Sequence, residues 1–250
     1  MYPYIHIVLP SYGTFAVLGA IVVMIFLFFR IDKCNISFSD FLKMFGLSIV
    51  YGSMGSRALY IVSRIPWLIT HFSLKTVIST VFGGGFVFYG GLLGVLLGVY
   101  RYSTKHNYDV KMINNQIAPA IPLFHSLGRI GCFFAGCCYG FKLPVAVSIF
   151  GLVTIDRFPT QIVESVFNVV LFVVIYMMQK KKEEADWLKI YLLSYATFRF
   201  IIEFTRGDLV RGVFFGISTS QIISLIIISC CSISGAKKLK ASADITDTTQ

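Results

Sequence analysis

The sequence predicts an all-α, polytopic integral membrane protein, and three observations lead there. Apolar residues make up 56% of the 250 positions and charged residues only 14%, with a mean hydropathy of +0.76; a water-soluble domain carries far more charge. The apolar residues gather into about seven runs of membrane-spanning length, separated by short polar loops. Those loops alternate in charge: lysines crowd the loops after the first, third, fifth and seventh runs and thin out after the others. Positive charge stays on the cytoplasmic side, so the pattern puts the N-terminus outside and the C-terminus in the cytoplasm. No polar stretch is long enough for a second domain. Residues 1–236 read as one transmembrane domain and 237–250 as a polar tail, expected to be disordered.

The first ten residues carry no Lys or Arg, unlike the start of a cleaved secretory signal. The first span is predicted over Tyr12–Phe29, followed by Arg30 and Lys33. The second covers Phe41–Ile65 and holds Arg57, too deep for a simple flanking anchor. Arg57 either snorkels to the interface or meets a ligand. Pro66–Thr80 reads as an amphipathic connection. The third run, Val81–Tyr100, opens with Gly83, Gly84 and Gly85 and repeats glycine every four residues at Gly90, Gly94 and Gly98. That spacing suits close helix packing in lipid; room for a head group beside Tyr89 and Gly90 is the other reading. Pro119 and Pro122 interrupt the fourth run, which a membrane tolerates where neighbours or water satisfy the freed backbone groups. Lys142–Pro159 is a polar-flanked excursion on the surface. Gln161–Met178, Leu188–Phe204 and Val213–Ser234 complete the spans.

The net charge of +10 sits mostly in the short loops, where it sets topology and favours anionic head groups. No basic stripe of the nucleic-acid-binding kind is present, and no nucleic acid partner is expected. The six cysteines make no disulfide framework. They match neither a C-x-x-C pair nor a zinc-ligand spacing, so no metal and no cofactor is implied.

The chemistry gathers around Phe124–Gly140, which holds His125, Arg129, Cys132, Gly136, Cys137, Cys138 and Gly140. An ionisable residue in an apolar span is costly and is a functional candidate by default. Arg199 and Glu203 are four apart on one predicted helix, so they share a face and can pair. Arg206 and Asp208 follow. One reading makes this a helix-end ion pair that positions the sixth span. The other makes Arg57, Arg129 and Arg199 a cationic pocket for an anionic lipid, since the guanidinium fork suits phosphate. His125 precedes Cys132 by seven residues, which on a continuous helix allows a Cys–His nucleophile pair. The intervening glycines and the usual inertness of buried thiols count against it.

These residues resemble, in order, the motifs of the bacterial phosphatidylglycerol–prolipoprotein diacylglyceryl transferase family. Tyr12-Gly13 resembles its Tyr-Gly, and Gly55-Ser56-Arg57 its Gly-Ala-Arg. Gly84-Gly85 through Gly90-Gly91-Leu92-Leu93-Gly94 resembles its glycine segment. Gly128-Arg129-Ile130-Gly131-Cys132-Phe133, with Gly136 and Gly140, resembles its signature. Pro159-Thr160-Gln161 through Glu164, Arg199-Phe200-Ile201-Ile202-Glu203-Phe204-Thr205-Arg206, and Ser220-Gln221 match further pieces.

The resemblance implies a multi-pass enzyme of the bacterial cytoplasmic membrane, open to the outer face. Such an enzyme moves the diacylglyceryl group of phosphatidylglycerol to the lipobox cysteine of a prolipoprotein and releases glycerol phosphate. It implies that Arg129, Arg199 and Arg206 bind phosphate and stabilise developing charge, that Glu203 holds Arg199, and that Tyr12 contacts the head group. Gly136 and Gly140 would let the head group pack closely. Arg57, Gly90, Cys132 and Gln161 complete the expected substrate contacts. The chain departs from the family at Tyr89, where a histidine is usual, and at Phe158, where another is. Cys132 stands for the signature Asn and Cys137 for its Glu. His125 is then a candidate displaced base and Tyr89 a hydrogen-bond donor. Two alternatives remain open at this point: a same-fold transferase with a surface glycan or lipid as acceptor, and a non-catalytic protein that binds or transports lipid.

Overall fold

A computed structural model describes residues 4–5, 9–83, 85–149, 153–182, 185–207, 213–214 and 217–247. Gly84 and Asp208, which figure in the sequence reading, lie outside the described residues. The chain is mostly helical and divides into two compact units, one of residues 20–120 and one of residues 1–19 with 121–250. Helix α1 (Ser11–Phe28) crosses that division. Among the described residues, three helical stretches are long and apolar enough to cross a membrane: Ser11–Phe28, Val110–Ala135 and Thr160–Gln179; Thr219–Ser234 is a shorter apolar helix.

The unit of residues 20–120 is built on α2 (Phe38–Thr70), α3 (Leu74–Phe82), α4 (Phe88–Lys105) and α5 (Val110–Ile117). Ser37 caps α2 by accepting from the Asp40 amide. Helix α2 runs past Pro66 to Thr70, beyond the span expected to stop at Ile65; a proline inside a membrane helix removes one hydrogen bond without ending it. The third apolar run is also redrawn. Its first residues, Val81 and Phe82, finish α3, and the spanning helix α4 starts at Phe88.

Small residues decide how α2 meets α4. A Cβ on Gly90 would collide with the carbonyl of Gly55, and one on Gly94 with the carbonyl of Tyr51. A Cβ on Gly98 would stand 3.0 Å from Ser48 Cα. The four-residue glycine repeat is a packing face, and Gly90, expected beside a lipid head group, faces backbone instead. Farther along, Asp40 ties the ends of the two helices together. Its carboxylate accepts from Tyr108 Oη at 2.7 Å, Tyr102 Oη at 2.8 Å and Ser37 Oγ at 3.0 Å. These bonds, Tyr108's foremost, hold its pKa down to about 2. In the 3-10 turn Ile31–Cys34, burial pushes the Cys34 thiol up to about 11, so it stays protonated and inert.

The other unit opens with a short hairpin, β1 (Tyr4–Ile5) against β2 (Leu9–Pro10), then the start of α1. Helix α6 (Ala120–Ala135) carries Pro122 in its first turn, where a missing amide costs little. Pro119 and Pro122 are fully buried, consistent with the protein surroundings that such an interruption requires. The glycines of α6 do not break it; the helix is continuous through Gly128 and Gly131. At Gly131 a side chain would meet Phe15 Cβ at 2.9 Å and Tyr12 Cα at 3.3 Å, so this glycine sets the approach of α1 to α6.

The stretch after α6, expected as a polar surface excursion, is an antiparallel hairpin of β3 (Lys142–Ile149) and β4 (Val153–Arg157). Helices α7 (Thr160–Gln179) and α8 (Trp187–Ile202) follow. The last apolar run begins as a hairpin, β5 (Val213–Phe214) and β6 (Ile217–Ser218), and becomes α9 (Thr219–Asp247) only at Thr219. Ser218 and Gln221 form a reciprocal cap: the Gln221 amide donates to Ser218 Oγ and the Ser218 amide to Gln221 Oε1. Helix α9 continues to Asp247 where a disordered tail was expected. Alanine and lysine favour helix once a preceding turn has formed.

Candidate functional site

The site lies in the unit of residues 1–19 and 121–250 and is built from α6, α7, α8 and the turn after α8. Its centre is Glu164 on α7, fully buried. Glu164 Oε2 receives Arg129 Nη2 at 2.8 Å, and Glu164 Oε1 receives Arg199 Nη1 at 2.7 Å. Arg199 turns its other nitrogen, Nη2, toward Glu203 and toward Ser220 Oγ at 3.2 Å. Arg206 Nη1 lies 3.9 Å from Glu203 Oε2. Charges therefore alternate along one buried line, from Arg129 through Glu164, Arg199 and Glu203 to Arg206.

Alternation is the condition on which buried ions survive, because each desolvated charge needs an opposite neighbour. Arg129 and Arg199 share one carboxylate, that of Glu164. Two buried guanidiniums converging on a single carboxylate favour a further anion beside them. The fork of Arg129 or Arg199 can present parallel N–H groups to phosphate.

Expected residues distribute as follows. Arg129, Arg199, Glu203 and Arg206 come together. His125 joins them: Arg129 Nε donates to His125 Nε2 at 3.3 Å, and the imidazole meets Tyr195 edge-on at 4.8 Å between centroids. As an acceptor at Nε2 the ring is neutral with its hydrogen on Nδ1. The lone pair that a general base would use is engaged by Arg129, so His125 orients the arginine. Tyr12 is 38% exposed at the start of α1, with Cys132, Arg129, Cys138 and Cys137 as its electrostatic neighbours.

Gln161, fully buried, donates Nε2 to the Cys137 carbonyl at 2.6 Å, and Thr160 Oγ1 donates to the Cys138 carbonyl at 2.6 Å. Gly140 serves chain packing: a Cβ there would press on the Phe158 and Thr205 carbonyls at 2.8 Å, and its backbone pairs with Arg206. Gly136 ends α6 with φ +72°. Gly136 and Gly140 thus shape the backbone.

Tyr89 and Arg57 belong to the other unit. Tyr89 is 3% exposed on α4. Arg57 donates to the carbonyls of Thr80, Val81 and Gly85, capping the end of α3, so its guanidinium is committed to backbone rather than snorkelling.

Sequence reasoning left Glu164 out of the site, although it binds both central arginines. An acid inside the apolar run Gln161–Met178 is a signal in its own right. Ser220 was quoted only as part of a motif.

The cysteines form a second feature. Helix α6 ends in a Schellman motif: the Gly136 amide bonds to the Phe133 carbonyl and the Cys137 amide to the Cys132 carbonyl, both at 3.2 Å. This closure sets Cys137 against Cys132, the pair of positions that usually touch across such a cap. Cys138 takes a left-handed φ of +59°, uncommon for a residue with a Cβ. The Sγ atoms of Cys132, Cys137 and Cys138 all lie within 4.8 Å of one another. The linear spacing predicted no metal set; the turn brings three thiols together.

Comparison with known proteins agrees with the motifs. A family profile described as prolipoprotein diacylglyceryl transferase matches residues 3–234. A phosphatidylglycerol–prolipoprotein diacylglyceryl transferase of Clostridium tetani is 36% identical over 225 residues, covering 87% of this chain and 88% of the relative. A second, from Clostridium perfringens, is 33% identical over 73% of this chain and 72% of its own length. One from Dehalococcoides mccartyi is 26% identical over 89% and 86%.

Proposed function

We infer the reaction from one premise: the chain belongs to the prolipoprotein diacylglyceryl transferase family. It is a membrane transferase of bacterial lipoprotein biosynthesis. It moves the diacylglyceryl group of phosphatidylglycerol to the cysteine thiol of a prolipoprotein and releases glycerol phosphate. The observation that supports the role of the site is the convergence of two buried guanidiniums, Arg129 and Arg199, on the one carboxylate of Glu164.

The phosphodiester sits against Arg129 and Arg199, with Arg206 completing the positive end. The acceptor sulfur attacks the glyceryl carbon, that carbon–oxygen bond breaks, and the electron pair leaves on the phosphate. Charge grows on the departing phosphate, and preoriented guanidiniums stabilise it more than they stabilise the ground state. Glu164 and Glu203 hold the arginines in place, so little reorganisation is needed as charge moves. His125 accepts from Arg129 Nε and so helps hold the guanidinium that Glu164 grips at Nη2.

The bundle has seven spans, with the N-terminus outside and the C-terminus cytoplasmic, as the loop lysines favour. The enzyme resides in the cytoplasmic membrane with its site toward the outer face, where secreted acceptors arrive. Residues 1–236 act as one transferase domain followed by the tail of 237–250. Tyr12 borders the lipid head group, and the acceptor presents its lipobox from the outer side.

The test is direct. Purified protein is incubated with head-group-labelled phosphatidylglycerol and a lipobox peptide. Equal yields of glycerol phosphate and lipidated peptide are expected. Release that requires a glycan or lipid acceptor instead would replace the prolipoprotein in this account, and lipid binding without turnover would remove the transferase reading.

A further inference from the structure

We propose that Cys132, Cys137 and Cys138 form a three-thiolate site for a soft metal ion of the Zn2+ type, whose fourth position takes the acceptor cysteine of the prolipoprotein. The proposal rests on the transferase reading above for the identity of that fourth ligand; the three-thiol site itself does not.

Three Sγ atoms lie within 4.8 Å of one another, and among the described residues no fourth His, Cys, Asp or Glu joins them. With a Zn–S bond of about 2.3 Å, tetrahedral thiolates stand about 3.8 Å apart. The trio therefore needs to close by at most about 1 Å to hold the ion. Three protein ligands and an open position is the arrangement of a reactive zinc site, whereas structural sites are closed by four.

The backbone presents the thiols in a fixed arrangement. The Schellman closure at Gly136 pins Cys137 to Cys132. Cys138 is held at φ +59°, and its carbonyl and that of Cys137 are each bonded to a buried side chain at the start of α7. A loop fixed at both carbonyls loses little freedom when an ion binds. Access is also provided: Cys137 is exposed while Cys132 is buried. A zinc with three thiolates carries a net negative charge, and Arg129 is an electrostatic neighbour of all three cysteines. The site thus stands beside the guanidinium assigned to the phosphate.

The chemistry follows from the open position. A thiol that coordinates the ion gives up its proton to water and stays as a bound thiolate. Its sulfur attacks the glyceryl carbon and forms the S–C bond. The C–O bond to phosphate breaks, and glycerol phosphate leaves with the electron pair. The thioether product is neutral and a weaker ligand, so it departs and a new acceptor can bind. No oxidant or reductant is involved.

The experiment uses the full-length protein in detergent, desalted and analysed for Zn2+, then loaded with Co2+ as a spectroscopic probe. About one Zn2+ per chain is expected, falling by about tenfold or more in Cys132→Ser, Cys138→Ser and Cys137→Ser. The exposed Cys137 is the substitution least able to disturb folding. The Co2+ protein should show sulfur-to-cobalt charge-transfer absorption. That absorption should change on adding a lipobox peptide and stay unchanged with the peptide whose cysteine is replaced by serine. Absence of bound metal in the wild type, or wild-type metal content in all three variants, overturns the site. Bound metal with no peptide-dependent change, or full transfer by the metal-free protein, overturns the role of the fourth position. Neither result touches the transferase reading, which fails separately if the loaded protein binds the peptide at cobalt yet releases no glycerol phosphate.

Discussion

Arg57 and Arg199 are the same residue type, each placed within a largely apolar helix, and they are held in opposite ways. Arg57 donates to carbonyl oxygens, those of Thr80, Val81 and Gly85 at the end of α3, and lies over the Tyr60 ring. Arg199 meets two carboxylates and a hydroxyl, and shares the Glu164 carboxylate with Arg129. Carbonyls satisfy the donors of a guanidinium and complete a helix end, which positive charge favours in any case. Two guanidiniums that share one carboxylate instead favour an anion beside them. The difference teaches that an arginine in a membrane span points to a binding site when its partners are themselves ionised and shared with a second arginine.

The sharpest way to break the comparison is to remove the carboxylate at its centre. Glu164→Ala strips the shared partner from two buried guanidiniums, which should cost about 3–5 kcal/mol of stability and abolish transfer. Thermal unfolding in detergent and the glycerol phosphate assay read the two effects. A variant of wild-type stability would mean that Arg129 and Arg199 do not depend on Glu164.

Arg129→Ala comes next. Arg199 still partners Glu164, so the protein should remain folded while kcat/KM falls by about 10²–10³-fold. Arg129→Lys should recover little, because a single ammonium cannot reproduce the fork that reaches both His125 and Glu164. Near-wild-type turnover in the lysine variant would show that only charge matters at this position.

Substitutions in the other unit should act on stability. Gly94→Leu drives a side chain into the Tyr51 carbonyl and should destabilise by about 1–3 kcal/mol, with transfer per folded molecule unchanged. Arg57→Ala removes its bonds to the α3 end and should cost about 1–3 kcal/mol, seen as a lower unfolding temperature. A rise in the KM for phosphatidylglycerol as large as that of Arg129→Ala would return Arg57 to the phosphate binders.

The smallest expected effect is at Asp40. Its folded pKa of about 2 lies below the ordinary value near 3.9. The stability it contributes is therefore present above about pH 4 and lost as the pH falls toward 2. The difference in unfolding temperature between wild type and Asp40→Asn should narrow over that range. A gap that stays constant from pH 6 to about pH 2 would show that these hydrogen bonds do not depend on the carboxylate's charge.

Much of the helical order was legible because hydrophobic runs report span length directly. Helix α1 and helix α7 fall within a residue or two of their runs. Runs do not report where a segment changes type. Val81 and Phe82 finish one helix before another begins, and two short strands, Val213–Phe214 and Ile217–Ser218, pair ahead of α9, since apolar strands and helix starts look alike over a few residues. Within the site, the i, i+4 spacing was enough to foresee the pairing of Arg199 with Glu203. Glu164 was missed because its partners lie on other helices, 35 positions away in the case of Arg199. The thiol trio was missed for a different reason. It depends on a helix-ending turn and a left-handed residue at Cys138, and linear ligand patterns do not encode that geometry.

The central claim, that the buried arginines bind phosphate, is tested most directly by equilibrium binding of phosphatidylglycerol to the purified protein and to Arg129→Gln. The account predicts that the variant binds roughly 10–100-fold more weakly, as loss of a charge-assisted hydrogen bond implies, and that neutral diacylglycerol competes poorly with the wild type. Equal affinity of the two proteins for phosphatidylglycerol, with diacylglycerol competing as well as the phospholipid, would contradict it.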